Sequence, residues 1–331
     1  MKYAKVALLG GSGFVGRHLT FRLHNTGYQC RVLTRHAFRH PELRLGGEVR
    51  EVNDYALEQL VPALEGCDAV INLIGILNPD RGSESFRTVH VELTERVVEA
   101  CRQAGVHRLL HMSALNADQA AGGSEYLRTK GEGENLAHTL GKPDIAVTSF
   151  QPSVIFGPDD NFLNRFARLL KIPGPLPLAC AQARFVPVYV LDVAEAFARA
   201  LPDRHTFGRR YPLCGPDIYT LEEIIRLIAY HTHRHKEIIR LPDALGRLQA
   251  AILQYAPGKP FTPDNFLSLQ TDSVCEHNGL HELGITPTPL APLAEEILQQ
   301  HTRANWFNCM RRWARRDPLT RERRRQMPHP G

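Results

Sequence analysis

The sequence lacks paired cysteines, long apolar runs and internal repeats, and each absence removes a class of protein. Seven cysteines, Cys30, Cys67, Cys101, Cys180, Cys214, Cys275 and Cys309, stand at long intervals with no C-x-x-C pair. That is far from the density of a disulfide scaffold, and the thiols read as reduced and mostly buried in a cytosolic protein. The longest apolar stretch, around residues 69–77, falls well short of the ~20 residues that a membrane-spanning helix needs. The opening stretch Met1–Leu9 stops at once in glycines with no small-residue cleavage pattern, so it reads as a buried first strand and not as a leader. The expected location is cytoplasmic, with peripheral attachment at the inner face of the membrane left open by the basic C-terminal tail.

What is present is a chain of 331 residues, 43% of them apolar, enough to bury a substantial core in two domains or one large α/β unit. The formal charge of +5 is unevenly placed: residues 302–331 carry nine arginines against Asp317 and Glu322, which leaves the rest near −2. Short β-branched runs alternate with helical patterns through the first 150 residues. The pattern predicts strands near 5–9, 31–34, 48–52, 69–74, 107–112 and 145–150, with helices near 14–26, 55–65, 86–104 and 125–140. Such alternation specifies a Rossmann-type, doubly wound parallel sheet with a smaller C-terminal lobe. The expected division is a dinucleotide-binding domain over 1–152, completed by a return strand and helix near 185–201. A smaller lobe then comprises 153–184 and 202–300, and a basic aromatic tail occupies 301–331.

Gly10-Gly11-Ser12-Gly13-Phe14-Val15-Gly16 follows a predicted strand and opens a predicted helix. Gly10 permits the tight turn, Gly13 lets a pyrophosphate approach the main chain, and Gly16 allows close helix–sheet packing. Exposed amides and the helix dipole favour phosphate there. The second strand ends in Thr34-Arg35-His36, with no Asp or Glu to hold ribose hydroxyls. Arg35, helped by Arg39, suits a 2′-phosphate, so NADP(H) is preferred and NAD(H) remains possible; a solvated surface arginine is the plain alternative. Asp54 stands where a carboxylate can meet the adenine amino group or cap the following helix. Leu73, Ile74 and Gly75 end the fourth strand, where the chain passes close to the cofactor.

Tyr126 and Lys130 lie four residues apart on one face of a predicted helix. A cation beside a phenol stabilises phenolate and suits it to proton exchange with a carbonyl or alcohol oxygen, and Ser113 can hydrogen-bond the same oxygen. A second match, Tyr255 to Lys259, is set aside because Pro257-Gly258 breaks the helical turn. The same residues can equally hold a nicotinamide ribose without catalysing anything, and Ser113 can be a strand-end hydroxyl satisfied by backbone.

With the glycine motif, Ser113, Tyr126 and Lys130 in hand, the chain resembles an extended short-chain dehydrogenase/reductase. Ala104-Gly105-Val106-His107-Arg108, Ser113-Ala114-Leu115-Asn116-Ala117-Asp118, Tyr126-Leu127-Arg128-Thr129-Lys130, Pro152-Ser153-Val154-Ile155-Phe156-Gly157 and Phe162-Leu163-Asn164-Arg165-Phe166-Ala167 narrow the match. They are similar to an atypical branch, the family of the nucleotide-binding accessory subunit of respiratory complex I and its bacterial relatives. The resemblance covers roughly residues 4–220 and more weakly extends to about 290. It implies NADPH binding at Gly10, Ser12, Gly13, Phe14, Val15, Gly16, Arg35, Asp54, Leu73, Ile74, Gly75, Lys130 and Pro152. It also implies a retained Tyr126–Lys130 pair without one defined turnover reaction for the group. Where many relatives carry Asn after the fourth strand this chain has His90, which puts a relay through that amide in question.

Two further features stand apart. His231, His233 and His235 alternate as on a strand, but Arg234 and Lys236 repel a cation, and no metal is expected. Trp306, Phe307, Met310 and Trp313 recur at helical spacing among arginines. Such a tail suits an anionic membrane surface, an acidic partner or packing on its own lobe, and nucleic acid is not the expected partner. Two functions compete: an NADP(H)-holding accessory or assembly protein beside a respiratory or quinone-linked complex, and a catalytic NAD(P)-dependent oxidoreductase or nucleotide-sugar epimerase/dehydratase using Tyr126 and Lys130.

Overall fold

A computed structural model of the chain describes residues 4–79 and 85–299. Seven parallel strands make the central sheet: β1 (Lys5–Leu9), β2 (Gln29–Thr34), β3 (Gly47–Glu51), β4 (Ala69–Asn72), β5 (Arg108–Met112), β6 (Ala146–Pro152) and β7 (Arg210–Leu213). Their order is β3-β2-β1-β4-β5-β6-β7, so the chain winds outward from β1 in one direction and then from β4 in the other. The reversal lies between β1 and β4, the topological switch point at which such sheets bind ligands.

The pleat assigns side chains to two cores. Val6 and Leu8 face one side, with Leu19 and Leu23 of α1 (Phe14–Asn25) and, further along the chain, Val193 and Phe197. Ala7 and Leu9 face the other side, against Leu60 and Leu64 of α2 (Leu57–Leu64), Val97 and Val98 of α3 (Leu93–Gln103) and Ala137 of α4 (Glu125–Gly141). A π-helical turn, Thr88–Glu92, leads into α3. Gly133 of α4 packs against that turn so closely that a Cβ there would sit 2.1 Å from the His90 carbonyl oxygen.

After β6 the chain leaves the sheet and forms α5 (Phe162–Leu169). It returns through α6 (Val190–Ala200), which lies beside α1, and then enters β7. Here the structure departs from the sequence reading. The segment near 185–190 supplies Val188–Tyr189, paired not with the main sheet but with Ile155–Phe156, while Arg210–Leu213, assigned by sequence to the second lobe, pairs in register with Ser149–Pro152. Arg-Tyr-Pro-Leu lacks the β-branched run that marks a strand, and its proline is tolerated because β7 is an edge. Fully buried Arg108 binds this return together, donating to the α6 carbonyls of Ala200 (2.8 Å) and Leu201 (3.3 Å), to Ala146 O (3.0 Å) and to Thr148 and Thr206.

The remaining helices are α7 (Leu221–His231), α8 (Asp243–Leu253), α9 (Pro263–Ser268), α10 (Gly279–Glu282) and α11 (Ala291–Gln299). A third core gathers Leu163 of α5, Phe185, Ile224 and Ile225 of α7 and Leu290. His231 ends α7 and His233 sits in the turn beyond it with φ +53°, so the three histidines do not lie on a strand. The cysteines require a correction: Cys214 and Cys275 form a disulfide across 61 residues, whereas Cys30, Cys67 and Cys101 are buried thiols and Cys180 is half-buried. The pair carries no spacing signal because the fold alone brings the end of β7 against the segment before α10. Cys309 and the aromatic tail lie outside the described residues. Among the described residues no helix is long and apolar enough to cross a membrane.

Candidate functional site

The β1–α1 turn is built as its glycines require. Gly10 adopts φ +73° and its carbonyl accepts the Gly13 amide at 2.9 Å. A Cβ on Gly16 would lie 2.3 Å from Gly10 O and 2.5 Å from Gly11 Cα, so the first turn of α1 sits directly on the strand that precedes it. Gly13 is the exposed N-cap and caps α1 with no side chain. The turn offers no chain acceptor for the amides of Phe14 and Val15, among the described residues. Ser12 shares a hydrogen bond with Thr34 at 3.0 Å, and Arg17 holds the Ser12 carbonyl at 3.1 Å. An exposed helix N-terminus with unpaired amides and no Cβ above it is a cradle that fits a pyrophosphate.

Arg35 and Arg39 are exposed beyond β2, Arg39 lying over the Phe38 ring at 5.6 Å. Glu51 at the end of β3 accepts the Ala37 amide at 3.0 Å. Asp54 is exposed and accepts the Ala56 amide at 3.0 Å, turning the chain ahead of α2 without capping the helix. Leu73 and Ile74 are half-buried, and the Ile74 amide donates to Asn72 Oδ1 at 3.2 Å. Gly75 is exposed, with the space over its Cα bordered by Lys130 Nζ at 3.3 Å and His90 Nε2 at 3.6 Å. Pro152 is buried, and its carbonyl accepts the Leu115 amide at 3.0 Å.

On α4, Ser124 caps the helix through Leu127 N, and Asp264 of α9 accepts the amides of Glu125 (2.7 Å) and Tyr126 (3.3 Å). A carboxylate from the second lobe therefore fixes the start of the helix that carries both candidate residues. Tyr126 is half-buried, edge-on to His90 and Phe86, and its hydroxyl has no hydrogen-bond partner among the described residues. Burial, and then the Asp264 charge, push its phenol up to about 12. One turn on, the buried Lys130 ammonium donates to Met112 O at 2.7 Å; burial brings it down to about 8, with Glu134 opposing the shift. The expectation that the lysine would lower the tyrosine is not what the site shows.

Ser113 has a partner that the sequence does not announce. Its hydroxyl donates at 2.6 Å to Glu134, a buried carboxylate that also accepts from Gln151 (3.0 Å) and pairs with Arg210 of β7 at 3.4 Å. Sequence reasoning missed Glu134, although four residues beyond Lys130 is the same helical face. It also missed what His90 does in place of the amide: Nε2 accepts the Ile76 amide at 3.1 Å while Nδ1 meets Thr129 Oγ1 at 3.0 Å. That pairing requires a neutral ring, and burial holds His90 down to about 2. The imidazole thus clamps the loop after β4 to α4 from within a π-turn, a distortion often found at functional sites. In the set-aside match, Tyr255 is 70% exposed while Lys259 donates to Pro79 O, so the two do not act together.

Comparison with known proteins adds a family to this geometry. The chain is 29% identical to NADH dehydrogenase (ubiquinone) 1 alpha subcomplex subunit 9 of Rattus norvegicus, over 91% of this chain and 81% of that one. It is 26% identical to the NADH-ubiquinone oxidoreductase 40 kDa subunit of Neurospora crassa, over 96% and 83%. A ceramide reductase of Caulobacter vibrioides is 30% identical over 72% of this chain and 74% of its own. Among solved structures, an NADPH-dependent quinone oxidoreductase of Escherichia coli complexed with NADPH superposes with a TM-score of 0.70 at 17% identity, covering 89% of this chain and 100% of that one. A UDP-glucose 4-epimerase of Thermus thermophilus in complex with NAD does so at 0.60 and 22% identity, covering 79% and 98%. Residues 6–213, which run from β1 to the end of β7, match the NAD dependent epimerase/dehydratase family, and the chain belongs to that family.

Proposed function

We propose that the chain holds NADP(H) at the β1–α1 turn and serves as an accessory or assembly protein beside a respiratory or quinone-linked complex, at the cytoplasmic face of a membrane. The unpaired amides of Phe14 and Val15 take the pyrophosphate, with Ser12, Gly13 and Gly16 shaping the turn. Arg35, with Arg39, meets the 2′-phosphate, Asp54 borders the adenine, and Leu73, Ile74, Gly75 and Pro152 line the nicotinamide half with Lys130. The dinucleotide supplies a transferable hydride when bound. The observation that carries holding over turnover is the state of the three acid–base candidates. Ser113 directs its proton at Glu134, Lys130 commits one N–H to Met112 O, and burial raises the Tyr126 phenol, which disfavours the phenolate that proton exchange passes through. The complex I subunits among its relatives support a protein-complex partner. Native mass spectrometry of the purified protein is expected to show NADPH leaving with it in preference to NADH; release of NADH alone, or of a nucleotide sugar, overturns the reading.

One observation favours a second reading, an NAD(P)-dependent reductase. The Tyr126 hydroxyl has no partner among the described residues and stands one turn from Lys130, so it can give its proton to a carbonyl oxygen. Tyr126→Phe keeps the ring contacts, and on this reading it lowers kcat by roughly 10²- to 10⁴-fold with NADPH affinity unchanged. Equal turnover in the two proteins removes the tyrosine from the chemistry.

A further inference from the structure

Helix α8 is built inside out. Its small residues Gly246 and Ala250 face inward, against Phe266 and Ala179, while Leu245, Leu248 and Ile252, with Tyr255 just past its end, form an outward stripe. A surface helix ordinarily turns its large apolar residues to the core. The stripe belongs to a wider layer, because Gln249 of α8 donates to Pro177 O at 3.0 Å, Leu176–Leu178 pairs with Ile238–Arg240 and Lys236 donates to Ile172 O. Of thirteen large apolar residues exposed among the described residues, six fall in this layer: Ile172, Ile239 and the four on the stripe, 43% to 70% exposed. A concentration of exposed apolar side chains of this kind points to an interaction site.

Charge identifies the occupant. Residues 162–182 and 234–260, which form the layer, contain eight lysines and arginines against Glu237 and Asp243, and of the eight Arg240 is paired with Glu222 of α7 at 2.6 Å. The arginine-rich segment 302–331 is itself strongly cationic and is repelled by this face, as is a second copy presenting the same surface. Apolar side chains standing out from a basic surface, on a helix lying along it, match an anionic lipid interface. The layer also adjoins the site: Asn78 donates to Lys259 O at 3.4 Å and Asn265 to Leu77 O at 3.3 Å, tying α8 and α9 to the loop that continues from Gly75. We propose that this layer docks on an anionic bilayer with the α8 stripe inserted among the headgroups, which sets the mouth of the Tyr126–Lys130 site beside the lipid. The consequence for the site, though not the docking itself, rests on the cofactor-holding reading.

The test uses the full chain and sedimentation with vesicles of phosphatidylglycerol and phosphatidylcholine in equal parts, against phosphatidylcholine alone. NADPH affinity is read on the same preparations. The protein is expected to pellet with the anionic vesicles, and Leu248→Glu combined with Ile252→Glu to weaken that partition by at least roughly 30-fold with NADPH affinity unchanged. Both positions are exposed, so unchanged NADPH binding certifies the fold of the variant. Undiminished partition of the variant assigns the binding to the C-terminal arginines and overturns the proposal. Failure of the parent protein to pellet with anionic vesicles also overturns it and gives the face to a protein partner. Absence of NADPH binding in both proteins sinks the cofactor reading and leaves the docking result standing.

Discussion

Gly13 and Gly16 make opposite demands on alanine, and the pair separates packing from cofactor binding. At Gly16 the added methyl meets Gly10 O at 2.3 Å, Gly11 Cα at 2.5 Å and Gly11 C at 2.6 Å, all backbone atoms that no rotamer change can move aside. Relief requires the first turn of α1 to shift by about 1 Å, at an overpacking cost of about 2 kcal/mol. The same shift pulls the Phe14 and Val15 amides from a phosphate, and one lost charge-assisted bond of about 1.5–3 kcal/mol lowers affinity by roughly 10- to 150-fold. At Gly13 the backbone, φ −71° and ψ 179°, accepts any residue. Its added methyl meets only Gly10 O at 3.2 Å, and alanine caps a helix less well than glycine, so the apoprotein loses about 1 kcal/mol or less. That methyl nevertheless stands in the space above the turn, where the diphosphate has to rest. Urea unfolding of the stripped proteins, with NADPH titration by calorimetry, reads both quantities. Gly16→Ala loses stability and affinity together, whereas Gly13→Ala loses chiefly affinity. A Gly13→Ala protein that binds NADPH with the parent Kd refutes the placement of the phosphates on this turn.

Arg35→Ala should weaken NADPH by roughly 10- to 100-fold and leave NADH within about twofold; equal losses for both nucleotides count against a 2′-phosphate contact. Lys130 has a signature in pH: burial lowers it from 10.5 to about 8, so between those values the unfolded chain binds more protons and stability rises with pH. Lys130→Met should flatten that rise between urea midpoints taken at about pH 7.5 and about pH 9.5. Identical slopes in both proteins would show that the ammonium is not buried in solution. Reducing Cys214–Cys275 opens a crosslink spanning 61 residues and should cost about 4 kcal/mol by the loop-closure relation. Alkylation of the native protein should spare these two thiols, and their labelling without reductant contradicts the crosslink.

The parts of the fold that sequence made legible are those whose signals are local. A strand, three glycines and an amphipathic run within 25 residues suffice to place β1 and α1, and the Tyr126–Lys130 spacing needs only helical geometry. β7 was not legible because an edge strand containing Pro212 is stabilised by its register against β6, not by its own propensity. The disulfide joins residues whose proximity is created by that edge strand. Asp264 reaches the start of α4 from more than a hundred residues away, and nothing in its neighbourhood marks it. The polar contacts that decide the chemistry are mostly of this second kind.

Ser113 carries such a contact into the question of function. A serine hydroxyl has one proton, and here that proton is directed to a carboxylate held in place by Gln151 and Arg210. What remains on Ser113 is acceptor capacity, while a substrate oxygen on its way to an alcohol needs donors. Tyr126 and the remaining N–H groups of Lys130 are then the donors available among the acid–base candidates, and loss of one donor at a developing oxyanion typically costs 10²–10³ in rate, about 3 kcal/mol. The glycine turn needs no such rearrangement to receive a diphosphate, since the amides of Phe14 and Val15 already lack acceptors among the described residues. On the proposed reading, then, the turn is preorganised for a diphosphate while Ser113 has first to be released from Glu134 before it can donate to a substrate oxygen.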